Sequence, residues 1–241
     1  MKRYLFITAV ILTVTLISSC GGEKKAWMDG LSAAEEREFS SGKVPAERID
    51  NLKKGISFYE GDVERTIKAS KQIGIYYRML ALEYMSLEMY NEALKSIEKA
   101  VEYFPTSPML YYYGAVSAAQ MMQTVYDEHN AGIYLSMAEH YYLRALSIDP
   151  GYTEALYGLS VLYIFELNRP FDAEPLLERL LAGGSANFNA MFLLARVKIL
   201  LGETDAAEEL YSNIEEKAPD EETKQKAKDN RMRIVGGYNN G

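Results

Sequence analysis

The chain has one cysteine and two histidines among its 241 residues, so it offers little material for disulfide or metal chemistry. A single cysteine cannot form a disulfide within the chain or supply a paired zinc-ligand motif. His129 and His140 are 11 positions apart, which matches no common ligand spacing, although acidic residues lie beside both. The sequence has no glycine-rich phosphate-binding loop. These absences predict a protein that is not an enzyme and needs no cofactor. A metal site at the two histidines is the less favoured alternative to a solvated loop.

Basic residues are also in short supply. Lysine and arginine are outnumbered by aspartate and glutamate, 26 to 34, which gives a formal net charge of −8. Nucleic-acid binding depends on a positive surface, so no nucleic-acid partner is expected. Hydrophobic residues make up 48% of the chain, which is enough to bury a core and is not typical of a disordered protein.

The N-terminus combines a basic start, a short apolar run and an end of small residues. Lys2 and Arg3 precede residues 4–17, an uncharged apolar run shorter than the roughly 20 residues of a membrane-spanning helix. This arrangement is typical of a secretory signal peptide. Residues 17–20, Ile-Ser-Ser-Cys, resemble the bacterial lipobox. The resemblance implies cleavage before Cys20 and attachment of acyl chains to Cys20 as the membrane anchor. The alternative is an uncleaved signal anchor with a free Cys20 thiol.

Proline occurs only 7 times, and three prolines close similar amphipathic segments. They are Pro105, Pro150 and Pro219. The first interval, 45 residues, exceeds a 34-residue period by 11, and the second, 69 residues, is close to two such periods. Proline cannot continue a hydrogen-bonded helix interior, so it separates one helix from the next. The spacing indicates repeated helix pairs, with an insertion of 11 residues in one unit.

Two segments carry the repeat most clearly, residues 74–107 and the stretch from residue 188 onward. The matching residues are Tyr77, Leu80, Ala81, Tyr84, Tyr90, Ala93, Ile97, Ala100 and Pro105 in the first, and Met191, Leu194, Ala195, Gly202, Ala207, Tyr211, Ile214 and Pro219 in the second. This pattern resembles the tetratricopeptide repeat. The resemblance implies an all-α fold, a right-handed α-solenoid of stacked antiparallel helix pairs. About four repeats are expected, with a degenerate N-terminal helix pair and a C-terminal capping helix.

These features predict five parts of the chain. Residues 1–19 are a lipoprotein signal peptide, 20–44 a lipidated tether with a short helix, and 45–73 a degenerate helical pair broken at Gly61 and Asp62. Residues 74–219 are the repeat domain, with units near 74–107, 108–152, 153–187 and 188–219. Residues 220–241 are the capping helix and a flexible tail.

The 11 extra residues fall within residues 121–134, in the second unit. Eleven residues make about three helical turns, so they are predicted to lengthen both helices of that hairpin. A protruding loop that contacts a specific partner is the alternative.

The tetratricopeptide resemblance also implies a concave face lined by the first helix of each pair. The residues it assigns to a partner-binding groove are Arg78, Met85, Met109, Tyr112, Gln120, Tyr157, Phe165, Phe192 and Arg196. The Lys and Asn clamp of chaperone-binding relatives is missing at these positions. The groove is expected to be apolar and aromatic, and therefore to be filled by a partner helix, by the chain's own ends, or by a lipid or small molecule.

Together these resemblances predict a lipid-anchored scaffold or adaptor that faces the bacterial periplasm. Its partner is expected to be a helical segment of an envelope protein, in a pilotin-like or outer-membrane-assembly-like complex. The outer membrane is favoured over the inner one, because Gly21 rather than aspartate follows Cys20. The alternative is a ligand-binding accessory lipoprotein of a transport system. An open groove favours the adaptor, whereas a cavity closed by the termini favours the transport subunit.

Overall fold

The computed structural model describes residues 46–183 and 187–238, and all regular structure within these ranges is helical. The chain divides into two compact units, Met1–Ile67 and Lys68–Gly241. The helices in chain order are α1 (Ala46–Ser86), α2 (Tyr90–Tyr103), α3 (Pro108–Thr124), α4 (Glu128–Ile148), α5 (Thr153–Phe165), α6 (Pro170–Ala182), α7 (Phe188–Leu200), α8 (Thr204–Lys217) and α9 (Glu221–Tyr238).

Helix α1 corrects one prediction made from the sequence. The expected break at Gly61 and Asp62 is absent, because α1 continues without interruption through both residues. A glycine inside a helix costs only about 1 kcal/mol, which the surrounding turns can offset. Local contacts support the same turn. The Thr66 hydroxyl donates to the carbonyl oxygen of Asp62, and Arg65 forms an ion pair with the Asp62 carboxylate.

The unit Lys68–Gly241 has the repeat architecture that the sequence predicted. Helices α3 and α4, α5 and α6, and α7 and α8 pack as hairpins, and each hairpin packs against the next. The last part of α1 meets α2 through the stacked rings of Tyr77 and Tyr103, whose centroids are 6.4 Å apart. The all-α solenoid of helix pairs is therefore confirmed.

Small and large side chains alternate in the core as the repeat requires. Small residues lie buried where helices approach, and large apolar residues fill the space between pairs. The fully buried small residues include Ala93, Ala100, Ala115, Ala145, Ala173, Ala195 and Ala207, and the large ones include Ile97, Leu156, Leu159, Leu177 and Ile214. Leu80 differs from the expectation, since 41% of its surface is exposed. Its helix is the first of the unit Lys68–Gly241, so no earlier hairpin of that unit covers it.

The insertion lengthens both helices of the second hairpin. Helices α3 and α4 contain 17 and 21 residues, whereas α7 and α8 of the last hairpin contain 13 and 14. Asp127 begins the longer α4 by accepting a hydrogen bond from the backbone N–H of Asn130 at 3.0 Å. Of the two interpretations, the lengthened hairpin is the one that the helix bounds support.

Two cations tie neighbouring hairpins together. Arg169, at the start of α6, forms ion pairs with Glu139 of α4 at 2.8 Å and with Asp172 at 2.6 Å. Lys198 of α7 lies between Glu174 of α6 and Glu203, which is 2.7 Å away. These contacts join elements far apart in sequence, and they help to fix the relative positions of the helices.

Helix α9 closes the C-terminal end of the stack by packing against α8. Asp220 caps it by accepting the backbone N–H of Thr223 at 2.8 Å, and Arg231 pairs with Glu215 of α8 at 3.0 Å. The helix continues to Tyr238, so it includes residues that the sequence assigned to a flexible tail.

No helix in the described part of the chain is both long and apolar enough to cross a membrane. Cys20, the predicted signal peptide and the tether lie outside the described residues, as do residues 239–241.

Candidate binding groove

The first helices of successive hairpins touch one another, α3 with α5 and α5 with α7, and so form one continuous face. Seven of the nine residues that the sequence assigned to the groove lie on these three helices, and the other two lie on the last part of α1. The nine are Arg78 and Met85 on α1, Met109, Tyr112 and Gln120 on α3, Tyr157 and Phe165 on α5, and Phe192 and Arg196 on α7. Their role in binding a partner stays a prediction.

A cluster of tyrosine rings lies where α3, α4 and α5 meet. The ring centroid of Tyr112 is 5.5 Å from that of Tyr113, 6.3 Å from Tyr142 and 5.9 Å from Tyr152. The Tyr112 and Tyr152 rings meet at 66°, an edge-on arrangement that aromatic pairs favour. Tyr157 is partly buried against the same hydrophobic core. The structure therefore places Tyr112 in the tyrosine cluster and Tyr157 against the hydrophobic core beside it.

Two members of this cluster were missed by sequence reasoning. Tyr113 follows the predicted Tyr112 directly, and Tyr152 comes just before α5 begins. The run of three tyrosines at 111–113 was a usable signal for the first of them. No repeat position marks Tyr152, because it lies in the connection between hairpins.

Burial controls the chemistry of these phenols. It is the main cause that raises the pKa of Tyr112 above 10.0, and the nearby Glu154 carboxylate adds to the effect. Burial and the same carboxylate raise the pKa of Tyr152 to about 12. Both groups therefore keep their hydroxyl hydrogen at neutral pH. They can donate hydrogen bonds to the carbonyl or carboxylate oxygens of a bound segment.

Phe165 and Arg196 form a second feature of the face. The Arg196 guanidinium carbon lies 4.9 Å from the centre of the Phe165 ring, which joins α5 to α7 by a cation–π contact. Both side chains stay exposed, and Phe165 exposes 51% of its surface. The two predicted residues therefore form one amphipathic platform that offers an apolar ring beside a positive charge.

Phe192 is placed differently, because the C-terminal helix reaches it. Its ring is 5.9 Å from that of Tyr211, and the Lys226 ammonium of α9 lies 5.2 Å from the ring centre. At this end, the C-terminal helix of the chain thus contacts one residue of the predicted groove.

Several apolar side chains on the same helices are exposed without being part of these clusters. Leu82 on α1 and Ile199 and Leu200 on α7 occupy concave positions of their repeats, and each exposes more than a third of its surface. Arg78, Met85, Met109 and Gln120 are partly buried. The face is thus a mixture of exposed aliphatic, aromatic and cationic groups.

The two histidines lie away from this face, in the lengthened second hairpin. His129 and His140 are both exposed. Nearby acids have other partners, since Asp127 caps α4 and Glu139 pairs with Arg169. Across residues 46–183 and 187–238, no group of three or more histidine, cysteine or acidic residues is placed to hold a metal ion.

Comparison with protein families identifies the repeat directly. Residues 75–107 and residues 165–228 each match a family model described as a tetratricopeptide repeat. A curated protein of Borreliella burgdorferi, described as a TPR repeat-containing protein, is 24% identical over 216 residues. The match covers 90% of this chain and 94% of that relative.

Solved structures give the same fold at low sequence identity. A thermophilic TPR protein of Thermus thermophilus superposes with a TM-score of 0.53 at 20% identity, covering 76% of this chain and 96% of that one. MamA from Desulfovibrio magneticus superposes with a TM-score of 0.54 at 15% identity, covering 68% of this chain and 94% of that one. At these identities, the similarity concerns the fold alone.

Proposed function

Starting from the premise that the chain is a tetratricopeptide-repeat protein, we propose that it is a non-catalytic scaffold or adaptor anchored to a bacterial membrane by lipid. Proteins of this family generally mediate protein–protein interactions. The face formed by α3, α5 and α7, with the last part of α1, is the proposed binding surface. The proposed partner is a segment of a cell-envelope protein that lies along this face.

The exposed apolar side chains on the inner helices carry the proposal. Phe165, Ile199 and Leu200 leave 38% to 51% of their surface uncovered. Exposed apolar groups gathered on one face are a usual sign of a binding site. Because they lie on adjacent helices of a rigid stack, a partner can cover them without a large rearrangement of the backbone.

The chemistry of the face supports a helical segment with an apolar stripe and an acidic or carbonyl-rich edge. An amphipathic helix buries its apolar face in such a groove through residues three or four positions apart. Arg196 beside Phe165 offers a cation to a carboxylate, and the protonated phenol of Tyr112 offers a hydrogen-bond donor.

The membrane anchor belongs to the same proposal and rests on the sequence around Cys20. The short apolar run and the lipobox-like Ile-Ser-Ser-Cys favour lipidation and a position facing the periplasm, on the outer membrane. Metabolic labelling with a fatty acid tests this point. We expect the wild type to be labelled and the Cys20→Ala variant not to be. Equal labelling of both proteins contradicts the proposed lipid anchor at Cys20.

Affinity capture from crosslinked cell envelopes tests the groove. The tagged full chain is compared with the variant Phe165→Ala/Leu200→Ala. Phe171→Ala is the matched control, because Phe171 is on α6, the second helix of the same hairpin, and exposes 76% of its surface. We expect one protein to be captured equally by the wild type and the control, and in roughly tenfold smaller amount by the groove variant. A loss of this size is typical of an interface hot spot. Equal capture by all three chains contradicts the proposal.

A further inference from the structure

The part of α1 that lies in the unit Met1–Ile67 has an apolar stripe of its own. Its residues follow a heptad spacing along one side of the helix. They are Ile49, Leu52, Ile56, Tyr59 and Val63, with Ile67 at the end of the stripe. Each exposes between 44% and 58% of its surface. A groove of about 590 Å³ runs along all of them except Ile49. Such a seam is typical of a helix that packs against another helix.

Gly55 lies in this groove and is buried there. It is the smallest side chain among the residues that line the groove, and it occupies a flanking position of the heptad. A glycine there weakens the isolated helix by about 1 kcal/mol relative to alanine. Unlike the exposed residues of the stripe, Gly55 is already covered within one copy of the chain, so the contacts available to a second helix are those of the stripe itself.

The charges beside the stripe are arranged asymmetrically. Lys53 flanks its first half, and Glu60 occupies the equivalent flanking position one heptad later. In a parallel pair in register, the two copies of each flanking residue lie on opposite edges of the seam, so Lys53 of one helix does not meet Glu60 of the other. In an antiparallel pair, Lys53 of each helix faces Glu60 of the other, twice by symmetry.

The apolar residues agree with the same antiparallel register. When Ile56 of one helix is opposite Tyr59 of the other, Leu52 is opposite Val63 and Ile49 is close to Ile67. Every large apolar side chain of the stripe then packs against another apolar side chain. The face is complementary to itself in both shape pattern and charge, which is the requirement for a two-fold symmetric interface.

We propose that this stripe is a homodimer interface, in which residues 49–67 of two copies of the chain pack as an antiparallel helix pair. The stripe shares no residue with the groove on α3, α5 and α7. A dimer therefore presents two such grooves, and a partner with two binding segments gains avidity from it.

Disulfide trapping tests the register. The full chain carries Cys20→Ser together with Leu52→Cys, Val63→Cys, or both. Each variant is purified in detergent and then mildly oxidised. Residues 52 and 63 of one helix are about 16 Å apart, far beyond the roughly 7 Å that a disulfide can bridge, so the pair cannot close within one chain. Covalent dimers are expected from the double variant and from a mixture of the two single variants.

The single variants alone provide the contrast. Neither single variant is expected to form more covalent dimer than the parent chain, because the antiparallel register keeps each cysteine away from its own copy. Strong crosslinking by Leu52→Cys alone indicates a parallel pair and overturns the proposal. The proposal is also overturned if no variant forms crosslinks and light scattering gives the mass of a monomer. Another segment of the chain or a different partner would then cover the stripe.

Charge reversal gives an independent test that does not depend on cysteine geometry. Lys53→Glu is expected to weaken dimerisation by at least roughly tenfold, because it places two glutamates together at both ends of the interface. Adding Glu60→Lys to the same chain restores the opposite charges and the dimer. Lys71→Glu, the same reversal beyond the stripe, is expected to leave the dimer unchanged. A double variant as weak as Lys53→Glu contradicts the predicted pairing.

Discussion

The phenol ring of Tyr142 on α4 lies directly against the backbone of Gly158 on α5. A Cβ atom at position 158 would stand 2.6 Å from three atoms of Tyr142, namely Cε1, Cζ and the hydroxyl oxygen. Only a residue without a side chain allows this approach. The contact holds Tyr142 beside Tyr112, so the packing of α4 on α5 determines where the tyrosine cluster lies.

Replacing Gly158 with alanine should therefore destabilise the fold. The added methyl group must displace a buried ring, and overpacking of this kind costs about 1–3 kcal/mol in the free energy of unfolding. Gly132→Ala is the matched control, because Gly132 is inside α4 and a Cβ there meets no atom within 4 Å. It should stabilise the protein by about 0.4–1 kcal/mol. Urea denaturation measures the free energy of unfolding of both variants. Equal effects of the two substitutions would contradict the close packing of Tyr142 on Gly158.

Alkaline pH should unfold the protein through Tyr142. Burial raises the pKa of this phenol well above its ordinary 10.0, so the folded state resists ionisation that the unfolded chain accepts. The resulting stability is complete below about pH 10 and declines as the pH rises further. Tyr142→Phe removes the ionisable group.

The Tyr142→Phe variant should thus be more stable than the wild type above pH 10, by about 1.4 kcal/mol for each pH unit. At pH 7 the two should differ little. Tyr126→Phe, which removes a fully exposed phenol hydroxyl, is the control variant. Denaturant unfolding from pH 8 to pH 11 measures the slopes. A parallel decline for the wild type and Tyr142→Phe would rule out Tyr142 as the cause.

The ion pairs of Lys198 should matter more than ordinary surface pairs. The Lys198 side chain is only 15% exposed, and Lys198→Met leaves the largely covered Glu174 carboxylate without its cation. We expect a loss of about 1–3 kcal/mol, the range for a charged hydrogen bond removed from a partly buried site. Lys99→Met breaks the exposed pair with Glu102, which is 2.8 Å long, and should leave the stability almost unchanged because water already solvates both groups. Thermal unfolding of both variants at low salt measures the two losses of stability. Losses of equal size would contradict the claim that burial makes the Lys198 ion pairs stronger than the exposed pair.

Most of the fold could be predicted from the sequence, because the repeat fixes local and tertiary structure with the same residues. Ala195, Ala207 and Ile214 are small or branched at positions where helices touch, and all three are buried as expected. The lengths of α3 and α4 followed from the 11-residue excess between Pro105 and Pro150. These are consequences of periodicity, which a single sequence displays directly.

The errors arose where tertiary context overrides a local signal. Gly61 and Asp62 suggested a helix break, but the cost of one glycine is small beside the gain from a continuous helix. Leu80 matched a core position, yet a terminal helix of a stack leaves one side uncovered. Tyr152 entered the tyrosine cluster from a connection between hairpins, where no repeat position applies. Its contact with Tyr112 depends on how α3 and α5 are brought together, and spacing alone does not encode that.

Site-specific photo-crosslinking tests the central claim, that the inner face binds a protein segment. A benzoyl-phenylalanine is placed at position 165 or at position 171, so that the same phenylalanine-like probe lies on α5 or on α6 of one hairpin. Irradiation of intact cells should join one partner to the chain at position 165 and leave position 171 without that product. The same product at both positions, or at 171 alone, would show that the partner binds elsewhere and contradict the groove as the binding site.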